Sequence, residues 1–428
     1  MKDQGYFTFR SNVAGLRGIV ARQHSTRQQL SAEPEDQQAM SDAADAPVIL
    51  SNAPGSFPRS VLAERHPALI KKVRDAFPYG PRAHRALDAL LTQATEGVIE
   101  PLGPEAHDRH LWEAWGREYF GLSWFDVPFL WAESYFYRQL LTAVGYFEAG
   151  PWQGIDPFRP FKQAELHTGE ADEELAALDP LALRPLDEQR QGLLLGSLWG
   201  NRADLGFAVG GGAAGAADSR LVADDSALLW SLLPEGGAGT LCLVADNAGR
   251  ELLPDLILID HLLRHRRAER VVLHVKPYPY YVSDAMTADV IDCLRHLNGA
   301  RGVAAEVGER LWSAMGTGLL TVRSHTFSCA PLPYADMPDD LREEFAEADV
   351  TVMKGDLNYR RLVGDQLWPA TTPFEERTAY FPGPVAALRT LKSDVIVGLD
   401  ERTEATLVAE HGQGWRTSGT HALIQARR

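Results

Sequence analysis

"LVADNAGRELLPDLILIDHLL", Leu243 to Leu263, decides the fold. It opens as an apolar strand and closes as a helix with apolar residues at helical spacing. At the junction stand Asp246 and Asn247, followed by the small pair Ala248-Gly249. Outward from this stretch the rhythm repeats. Strands are expected at "TLCLVA" (240–245), "RVVLHV" (270–275), "GLLTVRS" (318–324), "DVTVM" (349–353) and "SDVIVGL" (393–399). Helices are expected between them at 249–264, 285–297 and 303–315. Apolar, β-branched strands alternating with amphipathic helices build an α/β/α, Rossmann-like, mainly parallel sheet covered on both faces. In such sheets a ligand binds beyond the carboxyl ends of the strands.

Upstream the pattern is helical. "HRALDALLTQAT" (84–95) and "ESYFYRQLLTAVGYF" (133–147) repeat apolar residues at i, i+3 and i+4. The aromatic run "LWEAWGREYFGLSWFDVPFLWAESYFYR" (111–138) reads as a helix-packing core. The expected organisation is a disordered tail over 1–45, an all-helical domain over 46–206, a Gly-rich linker over 207–224 and the sheet domain over 225–428. The linker contains a formal GxGxxG at Gly210, Gly212 and Gly215, but no strand and acidic residue follow at the distance a dinucleotide loop requires. The basic start of the tail is mildly like a transit peptide, and Met40 opens a plausible alternative start.

Composition narrows the function. The formal net charge of −16 argues against nucleic acid and anionic membranes as partners. No apolar run reaches the roughly 18 residues of a membrane span. Three widely spaced cysteines, Cys242, Cys293 and Cys329, form no metal box and read as reduced thiols of a cytoplasmic protein. The sequence leaves the oligomeric state open.

The strand ends carry the chemistry. After "LCLVA" come Asp246 and Asn247. After "RVVLHV" a loop reaches Asp284, with Ser283 as an expected helix cap. After "DVTVM" comes "KGDLNYRR" (354–361), and "LRTLKSD" (388–394) precedes the last expected strand. Two carboxylates and a carboxamide suit Mg²⁺ or Mn²⁺, hard cations that complete their shells with water and phosphate oxygens. Lys354, Arg360, Arg389 and Lys392 offer cationic donors for a phosphate. Singly, such residues are most often caps, turn formers or solvated faces. Together, at successive strand ends, they make a phosphoryl-transfer inventory.

The stretches "DNAGRELLPDLILIDHLL", "YVSDAMTADV", "VTVMKGDLNYRRLVGD" and "LRTLKSDVIVGL" resemble the damage-control phosphatase family, once catalogued as domain of unknown function 89. The KGDLNYR and RTxK signatures match its third subfamily, the acidic-residue methyltransferase-like sugar phosphate phosphatases. "WAESYFYRQLL", "DPF" (156–158) and "LWGNRADL" (198–205) resemble its helical part, and the likeness runs over residues 55–400. The resemblance implies a helical domain beside an α/β/α domain. It implies hydrolysis of phosphometabolites, fructose 1-phosphate and fructose 6-phosphate among them, with Mn²⁺, Co²⁺, Ni²⁺ or Mg²⁺. By matching position, Asp246, Asn247 and Asp284 are the implied metal ligands and catalytic residues. Glu251, Asp356, Leu357, Asn358, Tyr359, Arg360 and Lys392 are the implied substrate contacts, with Lys392 on the phosphate. The nucleophile is either a metal-bound water or Asp246 itself. Pro254 departs from expectation, because a proline well inside a helix removes a donor and bends its start. The rival activities are carboxyl methyl transfer from S-adenosylmethionine, with GGGAAG as cofactor loop, and non-catalytic sensing of a phospho-ligand.

Overall fold

The structure is a computed structural model and describes residues 46–200, 220–237 and 239–428. Seven strands form one sheet in the order β1-β7-β6-β5-β2-β3-β4. They are β1 (Leu221–Asp224), β2 (Thr240–Val244), β3 (Arg270–Val275), β4 (Leu320–Ser324), β5 (Val350–Lys354), β6 (Val385–Thr390) and β7 (Ala422–Arg427). The run β6-β5-β2-β3-β4 is parallel throughout. Only β7 is antiparallel to its neighbour β6, and β1 pairs parallel with β7.

Alternation along the strands sends successive side chains to opposite layers. Leu241 and Leu243 of β2 face a core shared with the helices Leu186–Trp199, Leu252–Arg264, Thr287–Gly299 and Val303–Thr317. Cys242 and Val244 face the other core, built with the helices Asp339–Ala346, Gly355–Val363 and Glu401–His411. Both faces are covered, which is why β5 can be buried along its whole length. The aromatic run forms a third core, with Trp112, Trp124, Trp131, Tyr135 and Phe136 packed together.

The expected α/β class with a mainly parallel sheet is the observed one, with four differences of detail. First, no strand forms at 393–399; β6 lies at Val385–Thr390 instead. Val395 to Leu399 are buried, but side chains and loops take their backbone groups. Arg389 donates to Val395 O, Gln425 donates to Val397 O at 2.7 Å, and Gly398 N donates to Thr372 O at 2.7 Å. Second, the last residues of the expected linker form β1, because Leu221–Asp224 finds a partner in β7, which the strand pattern did not predict. Third, Ser283 caps no helix; the helix starts at Thr287 behind Met286. Fourth, Gly249–Glu251 is a 3₁₀ turn and the α-helix begins at Leu252. Pro254 therefore sits in the first turn, where no intrahelical donor is needed.

Residues 46–428 pack as one unit. Leu166, Leu175, Leu193, Leu194 and Leu198 share a core with β2, so the helices before 200 complete the sheet's covering layer. The expected tail and the GxGxxG at Gly210, Gly212 and Gly215 lie outside the described residues.

Candidate functional site

The site is assembled at the carboxyl ends of β2, β3, β5 and β6. Two loops are stitched first. Ala285 N donates to Asp246 O at 2.9 Å, Ala248 N donates to Ser283 O at 2.6 Å, and Asn247 and Asp284 form an antiparallel bridge. Two carboxylates distant in sequence are thereby held at neighbouring backbone positions. Burial and the Asp284 charge push the Asp246 carboxyl well above the usual carboxylate range, against the pull of Lys392 and Lys276. Asp284, 4% exposed, is raised by burial against Lys276 and Lys162. Two like charges are thereby kept together at the cost of their own ionisation.

A narrow cleft of about 30 Å³ lies over this edge. Asp246, Asn247, Glu251, Lys354 and Lys392 line it, with Ser197 and Gly200 from the end of the helix Leu186–Trp199. Two glycines make the space. A Cβ on Gly355 would lie 1.9 Å from Asp246 Oδ2, and its φ of +84° is itself a glycine conformation. A Cβ on Gly200, at φ +55°, would press on Glu251 at 3.1 Å. Asn247 turns its nitrogen inward, donating to Glu251 Oε2 at 2.8 Å and to Asp246 Oδ2 at 3.3 Å. Its oxygen accepts from Ser283 Oγ at 2.7 Å, which is the actual role of that serine.

The remaining expected residues stand behind the cleft. Asp284 does not line it; its Oδ2 is sealed from solvent and accepts no hydrogen bond among the described residues. Asp356 Oδ1 accepts from Arg389 Nε at 2.8 Å, Ser393 Oγ at 3.1 Å and Lys392 N at 3.2 Å, which shapes the turn that carries Lys392. Burial would raise Asp356, but Arg389 and Arg360 hold its carboxyl below the usual range. Asn358 ties the ends of β2 and β5 together, donating to Ala245 O at 3.0 Å and Lys354 O at 2.8 Å. Tyr359 bonds Gln425 Oε1 at 2.9 Å, and Leu357 packs with Leu130, Tyr280 and Cys329. Arg360 forks onto Asp365 at 2.6 and 2.8 Å and lies 3.8 Å from Glu133. Arg389, fully buried, is engaged by Asp356, Ser393 and Val395 O. Lys354 meets Asp255 at 2.8 Å and Ser197 Oγ at 2.9 Å.

Sequence reasoning missed two buried lysines beside Asp284. Lys276 directly follows β3, and Lys162 follows the "DPF" turn. A lysine directly after the buried end of a largely apolar strand was the available signal for the first. For the second there was none, since two of its three partners, Asp284 and Asp289, lie more than 100 positions away.

The donor chemistry fits a hard divalent cation. Asp284 Oδ2 is an orphaned buried oxygen, and Asp246 lies beside it with a single 3.3 Å donor among the described residues. No group of three His, Cys, Asp or Glu side chains converges among the described residues. A cation here would therefore rest on two carboxylates, with carboxamide, water and phosphate oxygens available to complete its shell.

A family model, the damage-control phosphatase ARMT1-like domain, matches residues 61–408. Among similar proteins are the damage-control phosphatases ARMT1 of Mus musculus, 28% identical over 89% of this chain and 99% of the relative, and of Homo sapiens, 27% identical over 87% and 96%. That of Xenopus laevis is 29% identical over 89% and 99%. Among solved structures, a DUF89 family protein from Pyrococcus horikoshii matches with a TM-score of 0.43 and 17% identity, over 77% of this chain and 90% of that one. The class of protein is thus set: an enzyme, a phosphatase. The chain belongs to the damage-control phosphatase ARMT1-like family.

Proposed function

We propose that this chain is a metal-dependent phosphatase of sugar phosphates, such as fructose 1-phosphate and fructose 6-phosphate, acting in metabolite damage control in the cytoplasm. The observation that carries the reading is the meeting of Asp246 and Lys392 in one cleft, with the Asp284 carboxylate held behind Asp246. Asp246 and Asp284 would hold a divalent cation, Mn²⁺ or Mg²⁺ with Co²⁺ and Ni²⁺ as substitutes. Asn247 joins them once its carboxamide turns its oxygen inward. The bound ion supplies neutralisation of phosphate charge and polarisation of the P–O bond. Lys392 takes the remaining phosphate oxygens as a point charge. Glu251, at the cleft wall, accepts from substrate hydroxyls. The segment Asp356–Arg360 orients the phosphate-binding turn, Asp356 through its bond to Lys392 N. Three buried free thiols support the cytoplasmic assignment, and no helix among the described residues is long and apolar enough to cross a membrane.

The test is phosphate release from a panel of sugar phosphates with each of the four cations. Mn²⁺-dependent release from at least one of the two fructose phosphates is expected, and it should vanish in Asp246→Ala and Asp284→Ala variants that remain folded. Turnover of none of the panel, or full activity in either variant, would refute the assignment. Binding of S-adenosylmethionine without phosphate release would favour methyl transfer instead.

A further inference from the structure

Two buried ammonium groups flank Asp284, and they are held in different ways. Lys162 Nζ is saturated. It meets Asp284 main-chain O at 2.8 Å, Asp289 Oδ2 at 2.9 Å and Asp156 Oδ2 at 3.0 Å, three oxygens for three donors. It pins the backbone. Among the described residues Lys276 Nζ donates only to Ser328 O, at 3.1 Å, and it lies 5.4 Å from the centre of the Tyr280 ring. It comes within 3.5 Å of Asp284 Oδ2, yet that oxygen accepts no hydrogen bond among the described residues. A buried ammonium with donors to spare stands beside a buried carboxylate oxygen with no donor. Such pairs normally close, because each unmet group costs free energy. Here the backbone fixes the separation: Lys276 N donates to Ala285 O at 2.8 Å, so both ends of the pair are set by one short bridge.

We infer that Lys276 is a placeholder for the cation. It neutralises Asp284 while no cation is bound and releases that carboxylate when one binds, so its charge sets the cation affinity of the site. The inference rests on Asp246 and Asp284 being the cation ligands. Lys276 acts through Asp284 and is a positioning residue, not a catalytic one. The sign follows from charge. Any divalent ion that engages Asp284 is repelled by an ammonium already beside that carboxylate, and the double charge doubles the repulsion. What the ammonium gives up in exchange is a long pair with no hydrogen bond. Deleting the charge therefore removes more repulsion than it loses support.

The experiment is a calorimetric titration of Mn²⁺ into the cation-stripped full chain at pH 8, without substrate. Lys276→Met is expected to bind Mn²⁺ about tenfold tighter or more, and Lys276→Arg, which keeps the charge, to stay within about threefold of the parent. Should Lys276→Met fail to fold by circular dichroism, Lys276→Gln replaces it with the same expectation. Unchanged or weaker binding in the folded neutral variant would overturn the inference. Asp284→Asn separates the two levels of the argument and is expected to lose binding. If it binds like the parent, or the parent takes up no Mn²⁺, the cation reading falls and this inference with it.

Discussion

Two carboxylates at neighbouring strand ends, Asp246 and Asp356, live in opposite settings. Asp356 accepts from Arg389, Ser393 and the Lys392 backbone on one oxygen, and its carboxyl is held low. Asp246 accepts, among the described residues, one long bond from its sequence neighbour, and its carboxyl is pushed high. Both belong to signature motifs, but only one lines the cleft with its acceptor capacity in hand. Saturated charges are scaffold, and under-satisfied charges are where the fold retains unfavourable energy for a ligand to relieve. The same division separates Arg389 and Arg360, engaged on every side described above, from the loosely held Lys276.

The comparison breaks most visibly in activity. Asp246→Ala should lower phosphate release by roughly a thousandfold or more, as loss of a group that organises the transition state does, while the melting temperature stays within a few degrees of the parent. A large drop in melting temperature instead would move Asp246 to the scaffold side. Arg389→Met should do the reverse, destabilising the chain by about 3–5 kcal/mol because it leaves Asp356 buried and unpaired. Denaturant unfolding measures this, and a loss below about 1 kcal/mol would contradict the scaffold role.

Glu133 sharpens the contrast through pH. Burial pushes its carboxyl up to about 7 from 4.5, against the pull of Arg360. A raised folded value means that its contribution to stability is full below pH 4.5 and is lost as pH rises through 7. The loss is on the order of 3 kcal/mol from a shift of this size. In Glu133→Gln the stability slope between those limits should flatten, as read by urea midpoints across the range; an unchanged slope would assign it elsewhere. The smallest expected effect is a gain. Asp246→Asn removes one of two like charges from the cluster and should stabilise the cation-free chain by about 1 kcal/mol. A loss of that size in the melting measurement would show that the pair is not strained.

The sequence was legible where information is local. Leu243 to Leu263 announced a strand, a turn and a helix, and its apolar period placed the sheet and both covering layers. The strand-end rule pointed to Asp246, Asn247 and Lys392, the resemblance added Glu251, and all four line one cleft. The reading failed where identical local patterns have different fates. Val395–Leu399 looks as strand-like as β6, but Gln425, Arg389 and Thr372 occupy its backbone groups, and no periodicity records that.

Composition and period thus determined by themselves the parallel α/β class and the edge at which the candidate residues gather, and the resemblance of the motifs added the phosphatase reading. Tertiary structure alone decided which charged residues face the cleft and which brace it, and it alone brought Lys162 and Lys276 to Asp284. The reason is physical: a side chain's type is written in the chain, but its charge state and its free hydrogen-bonding capacity depend on partners that folding brings from far away in sequence.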